Sequence, residues 1–219
     1  MDGWSALILA GGAGRRFISN GGGGKLLSDL GGAPVIRRVA DAVAAAGFAE
    51  VVLVTGADDV AVSGVLAGQP LRIIHASDWA EGMAATLRTG IAALAPEACG
   101  VCVFLGDMPL VPVGLCADLI SEAEKAGYAA RPRVGGKPGH PVAFTRAAVA
   151  DLLALQGDSG ATALLRARDD VAYCDTAESG ALLDIDTADD LAAAVRAWNA
   201  CATSATSDSA TSRGALPKP

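Results

Sequence analysis

The sequence predicts a single-domain α/β protein built on a mainly parallel, doubly wound sheet. Three observations carry this. Short apolar runs alternate with longer amphipathic ones from residue 4 to about 200, as strands joined by crossover helices do. At 219 residues and 52% hydrophobic, the chain can build one substantial core, and two would be strained. Aromatics are only 4% and alanine is abundant, which suits helices packed closely on a sheet.

The elements follow in order. "SALILA" (5–10) reads as a buried strand and "PVIRRVADAVAAAG" (34–47) as a helix, with Pro34 in its first turn and Gly47 at its stop. "VVLVTG" (51–56) and "LRIIHA" (71–76) read as strands, "ATLRTGIAAL" (85–94) as a helix and "GVCVFLGD" (100–107) as a strand. A helix is expected over "VGLCADLISEAEKAG" (113–127), then an extended run at "HPVAFT" (140–145) and helical runs near 146–154 and 160–168. A strand at 182–185 and a helix at 188–200 complete a domain spanning 1–200. The remainder, 201–219, ending "ATSATSDSATSRGALPKP", is small and polar without periodicity and is expected to be a disordered tail.

Composition excludes several classes. A net charge of −7 argues against a general nucleic-acid binder, which would carry a basic face. The five scattered cysteines do not form a disulfide framework. Cys99-x-x-Cys102 lacks the second pair a zinc site needs, and Cys102 reads as a small apolar strand residue. The N-terminus lacks the basic start of a signal peptide, and no stretch is long enough to span a bilayer. The expectation is a cytoplasmic protein with no membrane partner.

The chemistry concentrates at the ends of strands, where open α/β sheets bind ligands. After the first strand comes "LAGGAGRRFISNGGGGKLL". Gly11, Gly12 and Gly14 let backbone N–H groups turn toward an anion, and Arg16 and Lys25 add full positive charges for phosphate oxygens. The third glycine of a dinucleotide fingerprint is missing from "GAGRRF". Asp107, ending the strand in "FLGDMPLV", is placed to hold a hard cation such as Mg²⁺, which takes one or two carboxylates plus substrate phosphates. In "LLDIDTADDL", Asp186 is the candidate second carboxylate, ahead of Asp184. Thr187 and Asp190 have the spacing of a capping box.

Taken in order, "LAGGAGRRF", "KLL", "EGMAATLRTGI", "LGDMPLV", "GKPGHPVAF", "GDSGATALL" and "DIDTADDL" resemble the nucleotidyltransferases that attach a nucleotide to molybdopterin, the molybdenum cofactor cytidylyltransferases above all. The resemblance covers residues 5 to about 198. It implies a Rossmann-like nucleotidyltransferase fold that binds a nucleoside triphosphate and Mg²⁺, with molybdopterin as acceptor and a molybdenum hydroxylase as a possible recipient of the product. Leu9, Ala10, Gly11, Gly12, Gly14, Arg16, Lys25, Gly82, Thr86 and Asp107 then bind nucleotide. Arg16, Lys25 and Asp107 are the catalytic set, and Asp107 and Asp186 the metal ligands. His140, Asp158 and Ser159 fall on the acceptor side. Asp158 or Ser159 would also suit the cap of the following helix, while Thr86 suits base reading and helix packing equally.

Two departures from the family pattern stand out. "FISNGGGGK" is longer than usual between Arg16 and Lys25, so a loop mobile without nucleotide is expected there. "LAGG" at Gly11 is the form associated with guanine, whereas the downstream blocks favour CTP. A guanylyltransferase using GTP, a transferase for another phosphorylated acceptor, and a non-catalytic cofactor carrier are the competing readings.

Overall fold

The computed structural model describes residues 1–12, 14, 17, 24–158 and 160–211, with the backbone alone for 201–211. Among the described residues an eight-stranded mixed sheet forms one layer, with helices on both faces. Four parallel strands make its first half: β1 (Trp4–Ala10), β2 (Glu50–Thr55), β3 (Arg72–His75) and β4 (Gly100–Leu105). The second half contains β5 (Ala129–Val134), the short β6 (Lys137–Pro138), β7 (Val142–Thr145) and β8 (Val171–Asp175). The order is β3-β2-β1-β4-β7-β5-β6, with β8 beside β5. Only β6 and β7 break the parallel run: β7 is antiparallel to β4 and β5, and β6 to β5.

Alternation along β1 divides the core in two. Ala6 and Ile8 face α1 (Val35–Ala44) and α4 (Cys116–Ala126), packing with Leu53, Phe104, Ile36, Val39 and Leu119. Leu7 and Leu9 face α3 (Met83–Ala93) and α5 (Val149–Leu153), packing with Val54, Val103, Leu87 and Leu152. Every residue of β1 is buried, as a central parallel strand requires. Each fully buried Leu or Ile contributes about 1.5–3 kcal/mol, so the central strands hold the sheet firmly. A third cluster joins Phe17, Leu30, Val35, Ile185 and Ala194. It fastens the C-terminal helix to the rest of the fold.

The structure differs from the sequence reading in several places. The chain adds α2 (Asp59–Val65) between β2 and β3, while β5 and β8 fill stretches without an assigned element. Residues 182–185 are not a strand: a 3-10 turn over Ser179–Leu182 is followed by extended chain. The burial alternation there is real, with Ile185 wholly buried, but no partner strand pairs with it. The last helix, α7 after α6 (Thr162–Arg166), runs Ala188–Thr211, and residues 212–219 of the expected tail lie outside the described residues. Cys102 is buried in β4 as expected, against Cys116. Among the described residues no helix is long and apolar enough to cross a membrane.

Candidate active site

The carboxyl ends of the parallel strands bring the predicted charged residues together. β4 runs into Gly106 and Asp107, and Gly106 N–H donates to the Leu9 carbonyl at 2.8 Å, tying this turn to the end of β1. Asp186 follows Ile185, whose N–H donates to the Asp107 carbonyl at 3.0 Å. The third cluster buries Ile185, and this burial leaves Asp186 on the opposite, site-facing side of the chain. Just beyond it, Thr187 and Asp190 form the reciprocal cap that their spacing predicts. The Thr187 N–H and hydroxyl donate to Asp190 Oδ2 at 2.8 and 2.7 Å, and Asp190 N–H donates back to Thr187 Oγ1 at 3.2 Å.

Lys25 opens a 3-10 turn over Lys25–Leu27, anchored by the buried Leu26. Its ammonium donates to Asp107 Oδ2 at 2.5 Å and to Asp186 Oδ1 at 2.8 Å. Lys25 therefore reaches the strand ends despite the glycine-rich insertion, most of which (18–23) lies outside the described residues. Burial by itself would lower the lysine pKa. The charge of Asp107 and the hydrogen bonds to both carboxylates outweigh it, so Lys25 is held above its ordinary value and stays charged. Asp184 lies close by, where burial and the neighbouring charges of Asp186 and Asp107 raise its pKa.

Asp107 and Asp186 also fit a divalent ion. Their oxygens already share one cation, and Asp107 Oδ1 is enclosed with no hydrogen-bond partner. An orphaned buried carboxylate oxygen is costly without a cation or donor. Among the described residues no cluster of three or more His, Cys, Asp or Glu could hold a metal by itself. Two carboxylates with substrate oxygens completing the shell is the pattern Mg²⁺ favours.

The nucleotide-side residues line the end of β1. The Leu9 and Ala10 side chains are buried, so these two present backbone only. A Cβ at Gly11 would lie 2.4 Å from Thr86 Oγ1, so loop and helix α3 touch here and only glycine fits. Thr86 itself is 4% exposed, a buried support beneath the loop. Gly12 is exposed with open space around its Cα. Gly14 stands beside the Lys25 stem, where a Cβ would be 3.6 Å from its Cγ. Arg16 lies outside the described residues.

Gly82, the residue before α3, has φ +115, a conformation L side chains rarely adopt. A Cβ there would be 2.1 Å from Asp158 Oδ1. Asp158 thus packs at the start of α3 and does not cap the helix that follows it. That helix, α6, has Ala161 at its N-cap with no side-chain cap. The reason is spacing: the Gly157 carbonyl accepts the Ala84 N–H at 3.1 Å, which draws the loop toward α3. Ser159 lies outside the described residues.

His140 follows β6 in a turn that packs on the chain leading to Asp186. Its N–H donates to the Ala181 carbonyl at 2.9 Å. Burial, the charge of Arg131 and a weaker opposing hydrogen bond to the Val103 backbone leave its imidazole pKa at about 4. Nδ1 is enclosed and unpartnered. At neutral pH His140 is therefore uncharged. Arg131 was not among the sequence candidates. Its signal in the sequence is two arginines around a proline, "ARPR", just before "GKPGHPV".

Known proteins resemble this chain in family and fold. Residues 6–172 match the profile of the MobA-like NTP transferase domain. No protein of curated function matches the sequence. The crystal structure of Rv0371c from Mycobacterium tuberculosis H37Rv superposes with a TM-score of 0.75 at 27% identity, over 88% of this chain and 97% of that one. The manganese complex of Rv0371c gives 0.72 at 25% identity, over 88% and 98%. Molybdopterin-guanine dinucleotide biosynthesis protein A from Archaeoglobus fulgidus shares the fold, with a TM-score of 0.66 at 24% identity over 88% and 97%.

Proposed function

Because the chain belongs to the MobA-like NTP transferase domain family, we propose that it transfers CMP from CTP to the terminal phosphate of molybdopterin and releases pyrophosphate. The observation that carries this reading is the Lys25 ammonium held between Asp107 and Asp186 beside the Gly11–Gly12 loop. Such an arrangement suits the handling of polyphosphate charge. The acceptor rests on the "GKPGHPV" and "GDSGA" blocks and their resemblance to the molybdenum cofactor branch.

In the reaction an oxygen of the acceptor phosphate forms a bond to the α-phosphorus of CTP. The bond from that phosphorus to the α,β-bridging oxygen breaks, and pyrophosphate leaves with the oxygen and its electron pair. A phosphate acceptor is already ionised at neutral pH, so no general base is required, and positioning and electrostatics supply the acceleration. The backbone around Gly11 and Gly12 receives the triphosphate, and Lys25 and Arg16 offset the charge of the leaving pyrophosphate. Asp107 and Asp186 would hold Mg²⁺, which when bound supplies Lewis-acid stabilisation of the phosphate oxygens. Gly82 opens the start of α3 to the base. By the family resemblance, His140, Asp158 and Ser159 belong to the acceptor side.

The glycine at position 11 is the feature that favours GTP by resemblance. In this fold it also has a packing reason, the close approach of Thr86, and the choice of CTP rests on the downstream blocks. The test is pyrophosphate release with each of the four nucleoside triphosphates, Mg²⁺ and purified molybdenum cofactor. Release with CTP is expected. Release with GTP alone overturns the nucleotide choice, and release with none overturns the transferase reading in favour of a carrier.

A further inference from the structure

Arg131 is the one charged residue among the described residues that is fully buried, at 6% exposure. Its Nε and Nη2 both donate to a single neutral acceptor, the Gly139 carbonyl, at 3.1 and 2.9 Å. Arg37, Arg72, Arg88, Arg133 and Arg168 each have a carboxylate within ion-pair distance. Arg131 has none among the described residues. Its Nη1 donates to nothing there, yet unlike Asp107 Oδ1 and His140 Nδ1 it is not an enclosed atom. The charge that acts on it from helix α6 is another cation, Arg166, itself exposed and without a hydrogen bond among the described residues. A buried guanidinium without a counter-charge is costly, and one carbonyl does not neutralise it.

Position gives this liability a use. β5 runs parallel to β4 across the intervening β7, and the register sets Arg131 level with Val103, four residues before Asp107. From there its guanidinium reaches the Gly139 carbonyl in the loop that enters β7 from the carboxyl edge. The Gly139 carbonyl it holds belongs to the His140 turn. That turn is joined through Ala181 to the segment whose Ile185 N–H meets the Asp107 carbonyl. His140 is neutral and cannot supply the missing positive balance for an anion. The two arginines can.

We propose that Arg131, with Arg166 at its rim, forms a phosphate-binding subsite for the acceptor, in which the Nη1 edge of Arg131 meets the phosphate oxygens while Gly139 holds its other edge. This rests on the reading that the acceptor is a phosphate ester. Arg131 thereby also positions the His140 turn, because its double hydrogen bond fixes the Gly139 carbonyl.

The experiment is a titration with inorganic phosphate at constant ionic strength, followed by calorimetry, without nucleotide or metal. Wild type and Lys25→Met are expected to bind phosphate alike. Arg166→Met, an exposed change that leaves the fold intact, is expected to weaken binding about tenfold. Arg131→Met is expected to abolish it, and Arg131→Lys, which keeps the charge and loses the planar fork, to retain part of it. In steady-state transfer, Arg166→Met should raise the acceptor KM and leave the CTP KM unchanged. Phosphate binding that is absent in wild type, unaffected by either arginine, or lost in Lys25→Met overturns the subsite. Failure of the transferase reading looks different: the phosphate titration behaves as stated, but no triphosphate yields pyrophosphate with molybdenum cofactor.

Discussion

The two ends of the sheet treat charge in opposite ways. At the amino ends of the strands polar groups pair with one another. The Tyr128 hydroxyl donates to Asp151 Oδ2 at 2.9 Å, and Arg168 bridges Asp151 and Asp170 while lying 3.5 Å over the Tyr128 ring. Glu50, starting β2, accepts from the Ser5 hydroxyl, the Ala95 N–H and Arg72. At the carboxyl ends lie Asp107 Oδ1 and His140 Nδ1 without partners, Lys25 shared by two acids, and Arg131 buried with a single carbonyl. Both ends belong to one fold and bury similar groups. The difference separates polar groups that pair with one another from polar groups held with fewer partners than their chemistry calls for.

The comparison can be broken most forcefully at Asp107. Asp107→Asn should fold normally and lose about a thousandfold in nucleotidyl transfer, measured by pyrophosphate release, because the loss falls on the transition state. Retained activity would remove the carboxyl edge from the chemistry.

His140 comes next. Its folded pKa of about 4 lies below the ordinary 6.5, so between these values the unfolded chain binds the extra proton. The stability it contributes is complete above pH 6.5 and lost as pH falls through about 4, by up to roughly 3 kcal/mol. Urea unfolding of wild type and His140→Gln across pH 4 to 7 measures it, and the variant should lack this component of the slope.

Gly82→Ala should cost about 2 kcal/mol by forcing a side chain to φ +115 against Asp158. The CTP KM should rise with it, since the start of α3 shifts. At the opposite edge, Tyr128→Phe should cost only about 1 kcal/mol in chemical denaturation and leave turnover unchanged. A change at Tyr128 that reached catalysis would blur the distinction between the ends.

Legibility in the sequence divides along physical lines. Asp107 and Asp186 could be read because each follows a short apolar run, and Lys25 because it lies in the glycine-rich loop after the first strand, at strand ends where parallel sheets bind ligands. The alternation of Asp184, Ile185 and Asp186 was legible, but the strand inferred from it was not there. Packing of Ile185 and Leu183 into a third cluster produces the same alternation without pairing. β5 went unread because "AARPRV" carries a proline and two arginines, which depress strand propensity. The fold accommodates Pro132 between the pairing to β7, which ends at Ala130, and the pairing to β6, which begins at Arg133. Arg131 was hidden for a related reason: a buried cation is recognised by the partner it lacks, and only tertiary structure shows that. The capping role expected of Asp158 is absent because a loop-to-helix contact at Ala84 competes for the same segment.

Nucleotidyl transfer at the carboxyl edge can be followed through the fate of a single labelled phosphorus. With Mg²⁺, molybdenum cofactor and CTP labelled at the α-phosphorus, the label should appear on the cofactor in wild type and be lost in Asp107→Asn. Label reaching the cofactor from the γ-phosphorus instead, or transfer surviving in Asp107→Asn, would contradict the account.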